Sequence, residues 1–309
     1  MSKFNDTNLL KLGLIGAGPW GRNYIATIAK INGIFLARLA SSNPDSVKLV
    51  DPDCVISEKW EHVIDDENLD GLVIASPAAT HTEIALAAIN KGLAVLIEKP
   101  MTLSVADAEK ILTSAKRKEA IVMVDHIHLY SAAWEVLQRE VAELGVIRSM
   151  KGNAGKWGPL NPKTSVLWEW GSHDVAMCIS LMKQVPEKVS VKRIESRIGG
   201  ETLNLSLDFG DVDVSLTISN LYEKRKRSFS VYFDNGKLIY DDILKSKDKL
   251  RFKTSQNDLD RTFRLNTIAP LERCVLSFRD LIIRGLPEWS DATLGLQVVK
   301  TLARIDSSL

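Results

Sequence analysis

Cysteine is scarce here: Cys54, Cys178 and Cys274 are the only three in 309 residues, widely spaced and odd in number. That excludes a disulfide framework and a zinc pattern, and it fits a reducing cytoplasm. No apolar run is long enough to span a membrane, and no N-terminal stretch has the form of a signal peptide. An excess of either charge is lacking too. Forty Lys and Arg oppose 39 Asp and Glu, a formal net charge of +1 that argues against a dedicated nucleic-acid surface. Internal repeats and low-complexity segments are absent. The length suffices for two domains, each with its own core.

What is present starts with a glycine turn. Gly16-Ala17-Gly18-Pro19-Trp20-Gly21 directly follows Leu12-Gly13-Leu14-Ile15, a short apolar run of the buried parallel-strand type. Gly16 permits the tight turn, Gly18 lets a pyrophosphate approach the backbone, and Gly21 lets the next helix pack closely. A helix from Trp20 to Lys30 then aims its first N–H groups at phosphates, with Pro19 tolerated in the opening turn. About eighty residues on, Leu93 to Ile97 opens into Glu98-Lys99-Pro100, which puts a lysine where open α/β sheets place their ligands.

The first 125 residues alternate strand and helix, with strands also at Ile34 to Ala40, Asp70 to Ala75 and Ile121 to Val124. Beyond a helix at Ala133 to Leu144 the period changes. Leu203 to Phe209 and Val212 to Ser219 alternate strictly, as antiparallel strands with one buried face do. Ser228 to Asp234 continues them, Asn235-Gly236 reads as a hairpin turn, and helices near Pro270 to Arg284 and Ser290 to Ile305 close the chain. The expected architecture is α/β: an N-terminal Rossmann dinucleotide-binding domain over 1–125 and a C-terminal α+β domain over 126–309. The second carries an open, mainly antiparallel sheet, and the last helix is free to pack back on the first domain.

These landmarks resemble the Gfo/Idh/MocA family, named for glucose–fructose oxidoreductase, inositol dehydrogenase and rhizopine catabolism. The likeness continues through Ser76-Pro77-Ala78-Ala79-Thr80-His81, Glu98 to Ser104, Val124-Asp125-His126, Leu144 to Arg148 and Gly171-Ser172-His173-Asp174. It implies hydride transfer between a nicotinamide and a sugar, sugar derivative or polyol. Lys99 belongs to the implied catalytic group and His173 is the implied general base. Glu169 stands where relatives carry an aspartate, and at i, i+4 it shares a helix face with His173. The cofactor side is implied to include Gly16, Gly18, Pro19, Trp20, Gly21, Arg22, Ser76, His81 and Glu98. A neutral imidazole suits removal of a hydroxyl proton, and an ammonium suits developing alkoxide charge.

Blander readings stand beside these. Lys99 is otherwise a solvated lysine before a turn, His173 a core histidine, and His81 a structural cap. His126 and His128 follow the last strand of the sheet, where structural roles compete with substrate contact. Of Trp157, Trp168 and Trp170, at most one is expected to touch substrate. Lys224 to Arg227 reads as a solvated hairpin tip. Two rival functions remain: a cofactor-sensing regulator without catalysis, and an enzyme using its cofactor transiently for sugar elimination.

NAD-specific Rossmann chains place an acid at the end of the second strand. Here Leu39-Ala40-Ser41-Ser42-Asn43-Pro44 offers serines instead, which favours NADP over NAD, with Ser41 and Ser42 as hydrogen-bond donors and Arg22 and Arg38 as candidate cations. The alternative is NAD held through hydroxyls, with Asp45 reaching back. The resemblance also implies a homo-oligomer through the polar sheet face of Asn204, Ser206, Asp208, Asp213, Ser215 and Thr217.

Overall fold

Six short strands build the first sheet: β1 (Leu10–Ile15), β2 (Ile34–Ala40), β3 (Val55–Ser57), β4 (Gly71–Ile74), β5 (Ala94–Glu98) and β6 (Val122–Asp125). All run parallel, in the order β3-β2-β1-β4-β5-β6. Every residue of β4, β5 and β6 is buried, so their apolar runs leave no polar face to solvent. The winding reverses between β1 and β4, which makes the carboxyl ends of β1, β4, β5 and β6 the edge where such sheets bind ligands. The computed structural model describes residues 9–158, 165–245, 248–254 and 260–309.

The connections are α1 (Pro19–Ile28), α2 (Glu61–Ile64), α3 (His81–Asn90) and α4 (Val105–Lys118). α4 shows how locally these ends are specified. Ser104 Oγ accepts the Asp107 N–H at 3.1 Å, Asp107 lies in the first turn, and Lys116, Arg117 and Lys118 fill the last.

By its contacts the chain leaves this unit after His126 and returns to it for Leu271–Leu296. That return brings α7 (Pro270–Arg284) onto β4. Gly71 makes room for it: a Cβ there would sit 2.9 Å from Ile282 Cδ1 and 3.1 Å from the Phe278 ring. α8 (Ser290–Asp306) begins in the first unit and ends in the second.

The second unit holds α5 (Ala132–Leu144), α6 (Ser172–Met182) and strands β7 (Ser149–Gly155), β8 (Lys188–Arg197), β9 (Gly200–Asp208), β10 (Asp213–Ser219), β11 (Lys226–Phe233), β12 (Gly236–Asp241), β13 (Leu250–Thr254) and β14 (Asp260–Thr262). Their order is β14-β13-β12-β11-β7-β10-β9-β8. Every pair is antiparallel except β7 with β10. The expected alternation is present: Leu203, Leu205, Leu207, Val214 and Leu216 are buried. On the other face Asn204 Nδ2 donates to Ser215 Oγ and Thr217 Oγ1, at 3.1 Å each.

Two expectations are corrected. The β11–β12 turn is Asp234-Asn235, and Gly236 is instead the first residue of β12. It is glycine because β13 crosses it so closely that a Cβ would stand 2.2 Å from Lys253 O. Arg227, read as part of a solvated tip, is 1% exposed and sits in β11. A carboxylate within its own unit explains the burial, as described below.

Candidate active site

At the carboxyl end of β1 the chain turns through Gly16 at φ +100°, where a Cβ would lie 2.8 Å from Ala75 O. Gly21 packs tighter still: its missing Cβ would meet Gly16 O at 2.1 Å. Gly18, the N-cap of α1, is different, with nothing within 4 Å of its Cβ position. Two glycines close the turn onto the sheet and the third leaves open space before the α1 N–H groups. Those donors carry no side-chain cap. Open space before uncapped backbone donors is what a pyrophosphate needs, so the residues present fit a dinucleotide. Trp20 is 39% exposed beside it, and Arg22 is exposed with Nε donating to Ala17 O at 3.3 Å.

Ser76 follows β4 and Lys99 follows β5, and His81 joins the two loops. Its Nε2 lies 2.9 Å from Ser76 O and its Nδ1 3.1 Å from Pro100 O. Burial pushes this imidazole below its ordinary pKa, against the pull of the carbonyls. Ser76 Oγ meets Thr80 Oγ1 at 2.7 Å. Lys99 itself is half-buried, and its backbone N–H donates to Glu98 Oε2 at 3.2 Å. His81 and Glu98 thus both hold the lysine loop.

Behind that loop lies a group the sequence reading did not assemble. Glu98 and Asp125 end β5 and β6 in direct register and are 7% and 1% exposed. Tyr24 of α1 donates to Asp125 Oδ2 at 2.6 Å. Burial pushes both carboxyls up, Glu98 well above its ordinary value. It also raises the Tyr24 hydroxyl and the Cys274 thiol, so both stay protonated. His126, fully enclosed, is pushed down to about 3 by burial and by the charge of Lys99. One signal was legible in advance: two acids at the last positions of two neighbouring strands.

In the second unit, Glu169 falls in a π-helical turn, Leu167–Gly171, that runs into α6, and His173 lies in the first turn of α6. Both are half-buried. The ring of His128 stands edge to face with His173, centroids 5.0 Å apart, and His128 Nδ1 lies 3.0 Å from the Tyr240 hydroxyl. Asp174, beside His173, turns inward to Arg227, whose Nη1 donates to Asp174 Oδ2 at 2.7 Å. Trp168 and Trp170 are core residues, and Trp168 Nε1 donates to Asp306 Oδ2 at 3.2 Å. Trp157 is 55% exposed under the Arg197 guanidinium.

The loop after β2 is ordered by its own serines. Ser41 Oγ contacts Ser46 Oγ at 2.7 Å and accepts the Asn43 N–H at 3.2 Å, while Ser42 is exposed. Arg38 is held by Asp66 at 2.5 Å, and Asp45 is held by Lys48 at 2.6 Å. Among the described residues no group of three His, Cys, Asp or Glu is placed to hold a metal, and no helix is long and apolar enough to cross a membrane.

Comparison with known proteins agrees with this geometry. Residues 10–126 match the model of an oxidoreductase family with an NAD-binding Rossmann fold. A crystal structure from Magnetospirillum magnetotacticum MS-1 is 38% identical, covers 96% of this chain and 99% of its own, and superposes with a TM-score of 0.88. The scyllo-inositol 2-dehydrogenase (NADP(+)) IolW of Bacillus subtilis is 20% identical over 258 residues, 78% of this chain and 72% of that protein. The UDP-N-acetylglucosamine 3-dehydrogenase GnnA of Acidithiobacillus ferrooxidans shares the fold, with a TM-score of 0.84 at 19% identity over 97% of each chain.

Proposed function

Because this chain belongs to the Gfo/Idh/MocA oxidoreductase family, whose members bind NAD(P), we propose that it moves a hydride between that cofactor and a sugar, sugar derivative or polyol. One observation carries the reading. Lys99 is half-buried at the carboxyl end of β5, in a loop fixed by His81 and Glu98, on the same sheet edge as an open glycine cradle. A solvated surface lysine needs no such fixing.

In this reading Gly16, Gly18 and Gly21 admit the pyrophosphate, and Pro19, Trp20 and Arg22 border it. Ser76 and His81 shape the loop beside it, and Ser41 and Ser42 face the adenosine ribose. When bound, the nicotinamide supplies the hydride acceptor or donor. Lys99 donates a hydrogen bond to the substrate oxygen and offsets its developing charge. His173 takes the hydroxyl proton in oxidation and returns it in reduction, with Glu169 orienting the imidazole. NADP is favoured over NAD because no carboxylate ends β2, and an NADP(+)-dependent relative supports that choice.

The test is a screen of inositols, free sugars and nucleotide-linked sugars with NADP and NAD, read at the absorbance of the reduced cofactor. Steady change with one substrate class supports a dehydrogenase. Product without net cofactor change would point to transient use in elimination, and tight cofactor binding with no turnover on any class would reject the enzyme reading.

A further inference from the structure

The last residues of β5 and β6 carry two carboxylates with nowhere to send a second negative charge. Glu98 and Asp125 are paired in parallel register, so their side chains emerge on the same side of neighbouring strands. Ionised carboxylates only accept hydrogen bonds. Asp125 Oδ2 is supplied by Tyr24, and Glu98 Oε2 by the Lys99 N–H, but Glu98 Oε1 and Asp125 Oδ1 have no donor in this buried setting. Two acceptors without a donor, side by side and out of water, are the arrangement that one added proton resolves.

We propose that Glu98 and Asp125 share a single proton and act as one buried negative charge that positions Lys99 and holds its ammonium. Tyr24 favours Asp125 as the ionised member, which leaves Glu98 as the proton's main holder. The other titratable groups around the pair are the Cys274 thiol from α7, which has Asp291 of the first turn of α8 on it as well, and His126 following β6. Thiol and imidazole are both neutral, because burial raises the one and lowers the other. Lys99 is the cation whose charge reaches both carboxyls. This deepens the reading of Lys99 as the group that stabilises substrate oxygen, and it rests on that reading for its catalytic part only.

A shared proton has a consequence that two independent charges do not. Glu98→Gln and Asp125→Asn each remove one carboxylate and the proton with it, so each variant keeps one negative charge. The double variant keeps none. In the alkaline limb of the pH–rate profile, each single variant should therefore move the midpoint by under about half a unit. The double should move it down by about one to two units, the effect of losing a neighbouring charge at an intermediate dielectric. Equal shifts in the two single variants that add in the double would overturn the proposal.

Infrared spectroscopy of the intact protein gives a readout independent of catalysis. At neutral pH the wild type should show a protonated carboxylic-acid carbonyl stretch that Glu98→Gln abolishes, and Tyr24→Phe should shift that band by removing a hydrogen bond to the pair. Absence of the band in wild type rejects the shared proton even if the double variant fails to fold. If the band is present and Lys99→Ala keeps full turnover, the proton-sharing pair stands and the role of Lys99 falls.

Discussion

His128 and His173 stand edge to face, ring centroids 5.0 Å apart, and His128 Nδ1 lies 3.0 Å from the buried Tyr240 hydroxyl. A second imidazole thus packs against the proposed base, and its effect on that base can be measured. His173→Ala should lower turnover about 10²- to 10⁴-fold, the range for a general acid–base group. His128→Phe keeps the ring's bulk but removes the hydrogen bond to Tyr240, and a fall in kcat of about tenfold with little change in cofactor affinity is expected. Unchanged steady-state kinetics in His128→Phe would leave that ring with a packing role only.

Lys99→Ala should cost a similar 10²- to 10⁴-fold in turnover while cofactor affinity, measured by calorimetric titration, stays within about threefold. Glu169→Gln should be milder, because a carboxylate that only orients a base is partly replaced by an amide. Equal losses for Glu169→Gln and His173→Ala would move Glu169 into the proton-transferring group.

Much of this was legible in the sequence, for physical reasons. Gly16 and Gly21 announce themselves because a Cβ at either would collide with the backbone of the turn, Gly18 fits as the glycine that leaves open space between them, and period two marks β9 and β10 because one face is wet. The buried polar partnerships were not legible. Asp174 finds Arg227 fifty-three residues later, and Tyr24 finds Asp125 across 101 residues. Such pairs join elements whose contact depends on tertiary packing, so no local spacing encodes them. Arg227 misled for the same reason: in a run of four cations, three resemble a solvated tip, and the strand period alone decides that the fourth turns inward.

The Asp174–Arg227 pair makes a stability prediction. Both side chains are 1% exposed, and Asp174 is pushed up by burial against the pull of the guanidinium. Arg227→Met would leave a buried carboxyl without its partner and should cost about 3–5 kcal/mol in urea unfolding. Adding Asp174→Leu should recover most of that loss. A single-variant cost under about 1 kcal/mol would contradict the pairing.

His126 predicts a pH dependence of the same sign as a paired carboxylate, set in a higher pH window. Its pKa is about 3 folded against 6.5 ordinarily, so between those values the unfolded chain binds a proton the native one refuses. Stability therefore rises with pH through that window, by about 1.4 kcal/mol per unit at most from this group, and falls on acidification. Glu98, raised in the native state, works the other way above its ordinary value. The two are separable in a variant: His126→Gln should flatten the stability curve between about pH 4 and 6 relative to wild type. Parallel curves for the two proteins would show that the imidazole is not excluded from protonation.

Cofactor choice turns on one short loop. Ser41 is occupied with Ser46 and the Asn43 N–H, Arg38 with Asp66, and Asp45 with Lys48. The side chain this leaves at the surface at the end of β2 is Ser42, with Arg22 exposed in the first turn of α1. A 2′-phosphate meets no carboxylate there, so NADP should bind more tightly than NAD. Ser42→Asp places the missing charge where NAD-specific chains carry it. It should weaken NADP by at least about tenfold, a little over 1 kcal/mol, and leave NAD unchanged or improved. Arg22→Ala should weaken NADP selectively, and by a smaller factor at high salt. Isotherms showing wild type tighter for NAD, with Ser42→Asp neutral toward both cofactors, would assign the loop to NAD held through hydroxyls.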